Sequence, residues 1–126
     1  MFGFHRSNNS GVLAPTIKQV AANTAVTYAV GDALVLTEGK LALAGSTATP
    51  EYIAAQGGLG KSVLSVYPVD GNQEYETTLT GSGTLVVGSK VTLSSAKEVT
   101  TVTTNGVAEV ISAAGTASGS AVVVKF

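Results

Sequence analysis

Short runs of β-branched and alternating apolar residues, separated by Gly, Asn, Asp and Ser, restrict this chain to a β-rich fold. The runs cover residues 25–30, 33–37, 40–45, 62–69, 74–80, 84–88, 90–94, 98–104, 106–112 and 121–126. Their length and spacing are typical of an all-β protein. We therefore expect a small β-barrel or β-sandwich built from hairpins.

Three turn sequences predict hairpins. Glu38-Gly39 separates two alternating runs, and its glycine can adopt the positive φ that a tight turn requires. The loop 70–73 separates residues 62–69 from 74–80, and Asn105-Gly106 separates 98–104 from 106–112. Each pair of flanking runs is expected to form antiparallel strands.

One segment has helical rather than strand-like character. PEYIAAQ (50–56) follows Thr49 as a candidate cap and places Pro50 at the first helical position. We expect a short helix of about two turns here. The predicted organisation is an N-terminal arm and lead-in segment over residues 1–24, followed by a single β domain over residues 25–126.

The first eleven residues, MFGFHRSNNSG, show no periodicity and predict a flexible arm. Phe2 and Phe4 are two residues apart, so they would share one face if the arm became a strand. We hypothesise that the arm orders against a partner, with Phe2, Phe4, His5 and Arg6 as contacts. The alternative interpretation is a disordered end.

Two segments resemble each other: VGDALVLTEGK (30–40) and VGSKVTLSSAK (87–97). Both contain Val-Gly, then an apolar strand with an internal leucine, a hydroxyl residue and a final lysine. An internal duplication explains this, and so does the small set of residue types in a β-rich chain.

Charged residues are few: the 126 residues include 7 Lys and Arg and 8 Asp and Glu, and the formal net charge is −1. Nucleic-acid affinity comes mainly from neutralising phosphates with Lys and Arg, so we expect no nucleic-acid partner. A surface of small, weakly polar side chains is better suited to contact with protein. No apolar run approaches the roughly 20 residues that span a bilayer, and no signal peptide begins the sequence, so we expect no membrane association and no cleaved export signal.

The residues for acid–base or nucleophilic chemistry are few, because the chain has one histidine and no cysteine. His5 lies on the predicted arm, away from any rigid element that could position a catalytic group. We expect no enzymatic activity, no cofactor and no metal. A weak Ca²⁺ site at Asp70, Asn72, Glu74 and Glu76 is the alternative, since hard cations take several oxygen ligands.

Two further binding motifs are incomplete. GGLGKS (57–62) ends like a phosphate-binding loop, but Ala55 replaces the first required glycine, and a strand-like run follows where a helix is needed. We interpret it as a plain turn. The tyrosines could form a sugar-stacking platform, although strand packing is their more usual role. They are Tyr28, Tyr52, Tyr67 and Tyr75.

From GDALVLTEGKLALAG (31–45), through TPEYIAAQ (49–56), to GTASGSAVVVKF (115–126), the chain resembles the small decoration, or cement, proteins of tailed-bacteriophage capsids. The shared pattern is a Gly-Asp turn into a hairpin, a short Ala-rich segment and a hairpin-rich second half that closes on a Val-rich strand. It covers about residues 25–126 and contains no catalytic motif.

The resemblance implies a structural virion protein that binds the outer surface of an assembled capsid and stabilises it. The implied partner is the major capsid protein, the implied assembly is a homo-oligomer, with a trimer favoured, and the implied location is the capsid exterior after synthesis in the host cytoplasm. Besides the four arm residues, Gly39 and Asp70 are candidate contacts at hairpin tips. The alternative function is a carbohydrate- or protein-binding β-module, such as a virion surface adhesion domain.

Overall fold

The computed structural model describes residues 1–7 and 16–126, which contain twelve β-strands and no helix. The strands are β1 (Gly3–Ser7), β2 (Lys18–Ala21), β3 (Ala33–Thr37), β4 (Lys40–Leu43), β5 (Tyr52–Ala54), β6 (Val63–Pro68), β7 (Gln73–Thr78), β8 (Lys90–Val91), β9 (Leu93–Ser94), β10 (Glu98–Val99), β11 (Ala108–Ala113) and β12 (Ala121–Lys125). The all-β prediction is confirmed.

The strands form two five-stranded sheets and one two-stranded ribbon. The first sheet has the order β1-β7-β12-β11-β8, the second has the order β2-β6-β5-β3-β4, and β9 pairs with β10. A single bridge between Ala22 and Leu41 brings the two edges of the second sheet near each other. The described strands form no closed barrel.

Alternating residues of the second sheet face two different cores. Ala33 and Ile53 belong to the main core, which also contains Tyr75 and the inward side chains of β11 and β12. Their neighbours Leu34 and Ala54 belong to a smaller core around Tyr28. The period of two along a strand explains why β3 and β5 each contribute to both cores.

The predicted helix over 50–56 is wrong, because Tyr52–Ala54 forms strand β5. Tyr52 pairs with Leu34 on one side and Pro68 on the other, so β5 lies inside the second sheet. Ile53 and Ala54 are both buried, which two opposite faces of a strand allow. A seven-residue helix has little stability of its own, and sheet packing overrides its weak preference.

The Glu38-Gly39 hairpin is confirmed. Thr37 pairs with Lys40, and Glu38 and Gly39 have φ values of 51° and 77°. Positive φ at both central residues is the type I′ geometry that matches the twist of paired strands.

The other two hairpin predictions are wrong. β6 and β7 flank loop 70–73 but belong to different sheets, so this loop carries the chain from one sheet to the other. Asn105 has a φ of 56°, but the strand that follows it, β11, pairs with β8 and β12 rather than with β10. The predicted strand over 84–88 is also not formed, and the run 25–30 contributes only a bridge at Tyr28.

The two similar segments share backbone features. Gly31 and Gly88 have φ values of 85° and 87°, and Ser95 and Ala96 have positive φ at the positions that align with Glu38 and Gly39. The loops differ in length, because Ser94 pairs with Glu98 across three residues.

The beginning of the predicted flexible arm is a strand of the first sheet. β1 pairs with β7 in antiparallel register, from Gly3 opposite Glu76 to Ser7 opposite Gln73. The lead-in also contains a strand, β2, which pairs with β6. Predictions for residues 8–15 lie outside the described part of the chain.

Candidate contact surface

Phe2 lies in the main core rather than on a docking surface. Its side chain is 2% exposed, and its ring packs edge-on against Phe126 at a centroid distance of 5.4 Å. The ring of Phe126 in turn lies 5.5 Å from that of Tyr75. Because Phe2 is enclosed by its own chain, its predicted role as an external anchor is replaced by a role in fixing β1 to the domain.

Phe4 lines a cavity at the seam between the two sheets, which we call the seam cleft. The cavity has a volume of about 310 Å³, and β1 forms one wall while Val30, Ile53 and Tyr67 contribute to the other. Met1 and Val30, 64% and 54% exposed, lie at its rim. The lining is predominantly apolar, which favours contact with another apolar surface.

His5 lies on the other side of β1, beside a second depression of about 420 Å³. Its Nδ1 atom is 3.8 Å from the Glu76 carboxylate, and both side chains are substantially exposed. Thr77 and Thr78 of β7 complete much of this lining. The second depression is therefore more polar than the seam cleft, and β1 separates the two.

Arg6 closes over a buried carboxylate. Its guanidinium donates hydrogen bonds to both Glu74 oxygens, through Nε to Oε2 and through Nη2 to Oε1 at 3.2 Å. The Glu74 side chain is only 4% exposed, whereas that of Arg6 is 61% exposed. Hydrogen bonding to Glu74, and then its charge, raise the pKa of Arg6. This two-point pairing fixes the position of β1 on β7.

Asp70 lies at the end of β1 where Ser7 pairs with Gln73. Its carboxylate accepts hydrogen bonds from the backbone and side-chain nitrogens of Asn72 at 2.9 and 3.1 Å, which closes the loop. Gln73 Oε1 accepts from the backbone nitrogen of Asp70 and from the hydroxyl of buried Tyr75. Asp70 therefore lies next to the end of β1, in the loop that carries the chain from β6 to β7.

Gly39 contributes to a different part of the molecule. The Glu38-Gly39 turn borders a depression of about 340 Å³ with Asn23 and Lys40, and this depression shares no lining residue with the seam cleft. Of the predicted contact residues, Phe4, His5, Arg6 and Asp70 are therefore close to β1, whereas Gly39 is separate. Their contact roles stay predictions.

Two carboxyl groups outside β1 have shifted pKa values. Burial raises the pKa of Asp32, although its carboxylate accepts a hydrogen bond from the Ala29 backbone nitrogen at 2.8 Å, which acts in the opposite direction. The hydroxyls of Thr78 and Thr80 donate to Glu98 and lower its pKa. These bonds stabilise local structure: Asp32 closes the turn before β3, and Glu98 joins β10 to β7 and the residues that follow it.

The other candidate ligand sites are differently arranged. Tyr28 and Tyr75 are buried in separate cores, so the four tyrosines form no common platform. Glu74 is bound to Arg6, and no group of three or more metal-ligating His, Cys, Asp or Glu side chains occurs within residues 1–7 and 16–126.

Residues 57–62 connect β5 to β6 as a turn, with φ values of 130° at Gly58 and 75° at Gly60. The described residues also include no helix long and apolar enough to cross a membrane.

Sequence reasoning missed Val30 and Glu74 as neighbours of β1, and it named Tyr67 only as part of a possible sugar-stacking platform. Val30 had the pattern of a strand residue, and Glu74 was grouped with possible calcium ligands. Their roles depend on β1 docking beside loop 70–73, a pairing between distant segments that no local pattern contains. Comparisons of the chain with protein-family models, curated proteins and solved structures find no match.

Proposed function

We propose that this protein is a structural virion protein that binds the outer surface of an assembled bacteriophage capsid and stabilises it. The observation that carries the proposal is the seam cleft: an apolar cavity with exposed Met1 and Val30 at its rim. Sparse charge supports contact with protein rather than with nucleic acid. The partner proposed is the major capsid protein, and the proposed assembly is a homo-oligomer, with a trimer favoured.

Contacts at this cleft need only modest strength. A capsid repeats the same binding position many times, and an oligomer that engages several positions gains affinity by avidity. Phe4 and Tyr67 supply aromatic surface that loses little conformational freedom when it is covered. His5 and Arg6, exposed residues that follow Phe4 on β1, would add polar contacts next to this apolar centre.

Val30→Glu tests the cleft. Val30 is 54% exposed, so the substitution preserves the core, but it places a charge where an apolar contact is proposed. We expect co-sedimentation with phage capsids to weaken by about tenfold or more, since a desolvated unpaired charge is costly at an interface. Light scattering on the purified protein, without capsids, counts its subunits.

Val102→Glu is the matched control, because Val102 is 52% exposed and lies outside the cleft lining. Saturable binding of the unmodified protein, weakened by Val30→Glu and retained by Val102→Glu, would support the proposal. Equal weakening by both variants would remove the cleft as the contact. Absence of saturable binding to any candidate capsid would favour the second function.

The second function is a carbohydrate-binding β-module, favoured by one observation: Tyr67 is partly exposed and faces the same cleft as Phe4. A sugar ring could stack on such an aromatic surface. Tyr67→Ala should then abolish glycan binding measured by ligand-detected NMR, whereas a glycan signal unchanged by this substitution would contradict it.

A further inference from the structure

β1 and the two residues before it are attached to the domain by pairing with β7, by the Arg6–Glu74 ion pair, by the buried ring of Phe2, and by hydrogen bonds from the Met1 and Phe2 nitrogens to the carbonyls of Lys97 and Gly31. β1 occupies the end of its sheet, pairs with β7 alone, and is interrupted by a bulge between Phe4 and Arg6. No residue of β1 itself is fully buried, and Phe2, which directly precedes the strand, is the buried side chain that anchors it. A short, bulged edge strand of this kind can separate from its sheet without disrupting the other strands.

A strand that pairs with the free edge of β7 must satisfy two specific requirements. One is an aromatic side chain beside Phe126 and Tyr75, which form the surroundings of Phe2. The other is a guanidinium that can reach the buried carboxylate of Glu74. A complementary strand must therefore carry an aromatic residue and, four positions later, an arginine. The segment from Phe2 to Arg6 meets both requirements.

The number of residues between β1 and the next described residue sets how far β1 can reach. Nine peptide steps from Ser7 to Thr16 can span about 30 Å when extended, which is comparable to the diameter of a small domain. A neighbouring copy carries the same strand and the same acceptor edge. Pairing between copies would reproduce every contact of pairing within one copy.

We propose that β7 of one chain accepts β1 of a second copy, so that Phe2 and Arg6 complete the core and the ion pair of the neighbouring domain. This inference extends the homo-oligomer part of the proposed function and names the element that joins the copies. Reciprocal exchange gives a dimer, and exchange in one direction around a ring gives a closed trimer.

Engineered cysteines test the exchange, because the natural chain contains none. Gly3 and Glu76 are directly paired across β1 and β7, at a separation that a disulfide can bridge. Chains carrying Gly3→Cys are unfolded and refolded at high concentration with chains carrying Glu76→Cys, and then oxidised. Non-reducing electrophoresis should show a mixed dimer several times more abundant than in a mixture of Val102→Cys and Glu76→Cys chains.

A chain carrying both Gly3→Cys and Glu76→Cys checks the geometry. If it closes within itself while the mixed chains give no more dimer than the Val102→Cys control, β1 stays with its own domain and the proposal is overturned. Failure of the double variant to form any disulfide would overturn the proposed acceptor geometry as well. No capsid is present, so failure of exchange and failure of capsid binding are separate results.

The ion pair provides a second readout. Adding Arg6→Gln to the Gly3→Cys chain should reduce the mixed dimer several-fold, and Arg6→Lys should restore part of it, since Lys keeps the charge but lacks the two-point geometry. Circular dichroism verifies that each chain is folded. An unchanged yield with Arg6→Gln would show that Glu74 does not select the incoming strand.

Discussion

At the scale of single residues, Gly106 illustrates a requirement for close approach. A Cβ atom at this position would lie 2.2 Å from the carbonyl oxygen of Lys90 and 2.4 Å from its carbonyl carbon. Gly106→Ala must therefore displace the backbone next to β8. We expect a loss of about 1–3 kcal/mol in the free energy of unfolding, as for other overpacked sites, measured by urea denaturation.

Gly45→Ala is the control, because a Cβ there meets no atom within 4 Å. It should change the unfolding midpoint little. Equal midpoints for Gly106→Ala and Gly45→Ala would contradict the close contact between residue 106 and β8.

The same residue shows what a local pattern leaves out. Asn105-Gly106 predicted a hairpin, and Asn105 does have positive φ. The glycine, however, is required by the backbone of Lys90, which is sixteen positions earlier in the chain. A turn dipeptide identifies where the chain bends, but the packing partner decides which strands meet.

At the scale of elements, β1 should contribute to stability mainly through Phe2. Phe2→Ala removes a buried ring from the cluster with Phe126, so we expect a loss of about 3–5 kcal/mol, while Phe4→Ala, at the partly exposed seam cleft, should cost clearly less. Denaturant unfolding of both variants measures the difference. Similar small losses for both would indicate that β1 is not anchored in the core.

Elements with local partners could be predicted from the sequence, and elements with distant partners could not. The Glu38-Gly39 hairpin needed only its own turn and flanking runs. The loop 70–73 has equally suitable turn residues, yet β6 pairs with β2 and β5, and β7 pairs with β12 and β1. For β5, burial on both faces outweighed the helix signal of Pro50 and the alanines.

At the scale of the whole molecule, Glu98 should make the free energy of unfolding decrease as the pH becomes acidic. Hydrogen bonds from Thr78 and Thr80 favour its charged form and lower its pKa in the folded state. The resulting stabilisation is complete above the ordinary glutamate pKa of about 4.3 and is lost as the pH falls through the lower folded value. Glu98→Gln should therefore be less stable at pH 7 and should lose less stability between pH 7 and pH 3.

Urea midpoints measured across this pH range test the effect. Thr78→Val removes one of the two hydroxyl donors and should produce a smaller change in the same direction. Parallel profiles for the unmodified protein and Glu98→Gln would mean that other groups determine the acid response.

The arrangement of the whole molecule was only partly predictable. Strand-like runs established the all-β class, because β propensity and punctuation are local properties. They did not reveal the two open sheets, or that Phe2 joins the core of a sheet formed mainly by the second half of the chain. Of the predicted contact residues, Phe4, His5 and Arg6 share β1, while Val30 and Tyr67 join Phe4 at the seam cleft only through tertiary packing.

The pairing of β1 with β7 has a consequence for the order of synthesis. β1 is translated before its partner, which begins at Gln73, so about seventy residues must be added before the pairing can form. During that interval Phe2 has no core to enter and the edge of the strand has no partner. In a cell where many copies are translated together, the first complete β7 edge that a nascent strand meets can belong to an older chain.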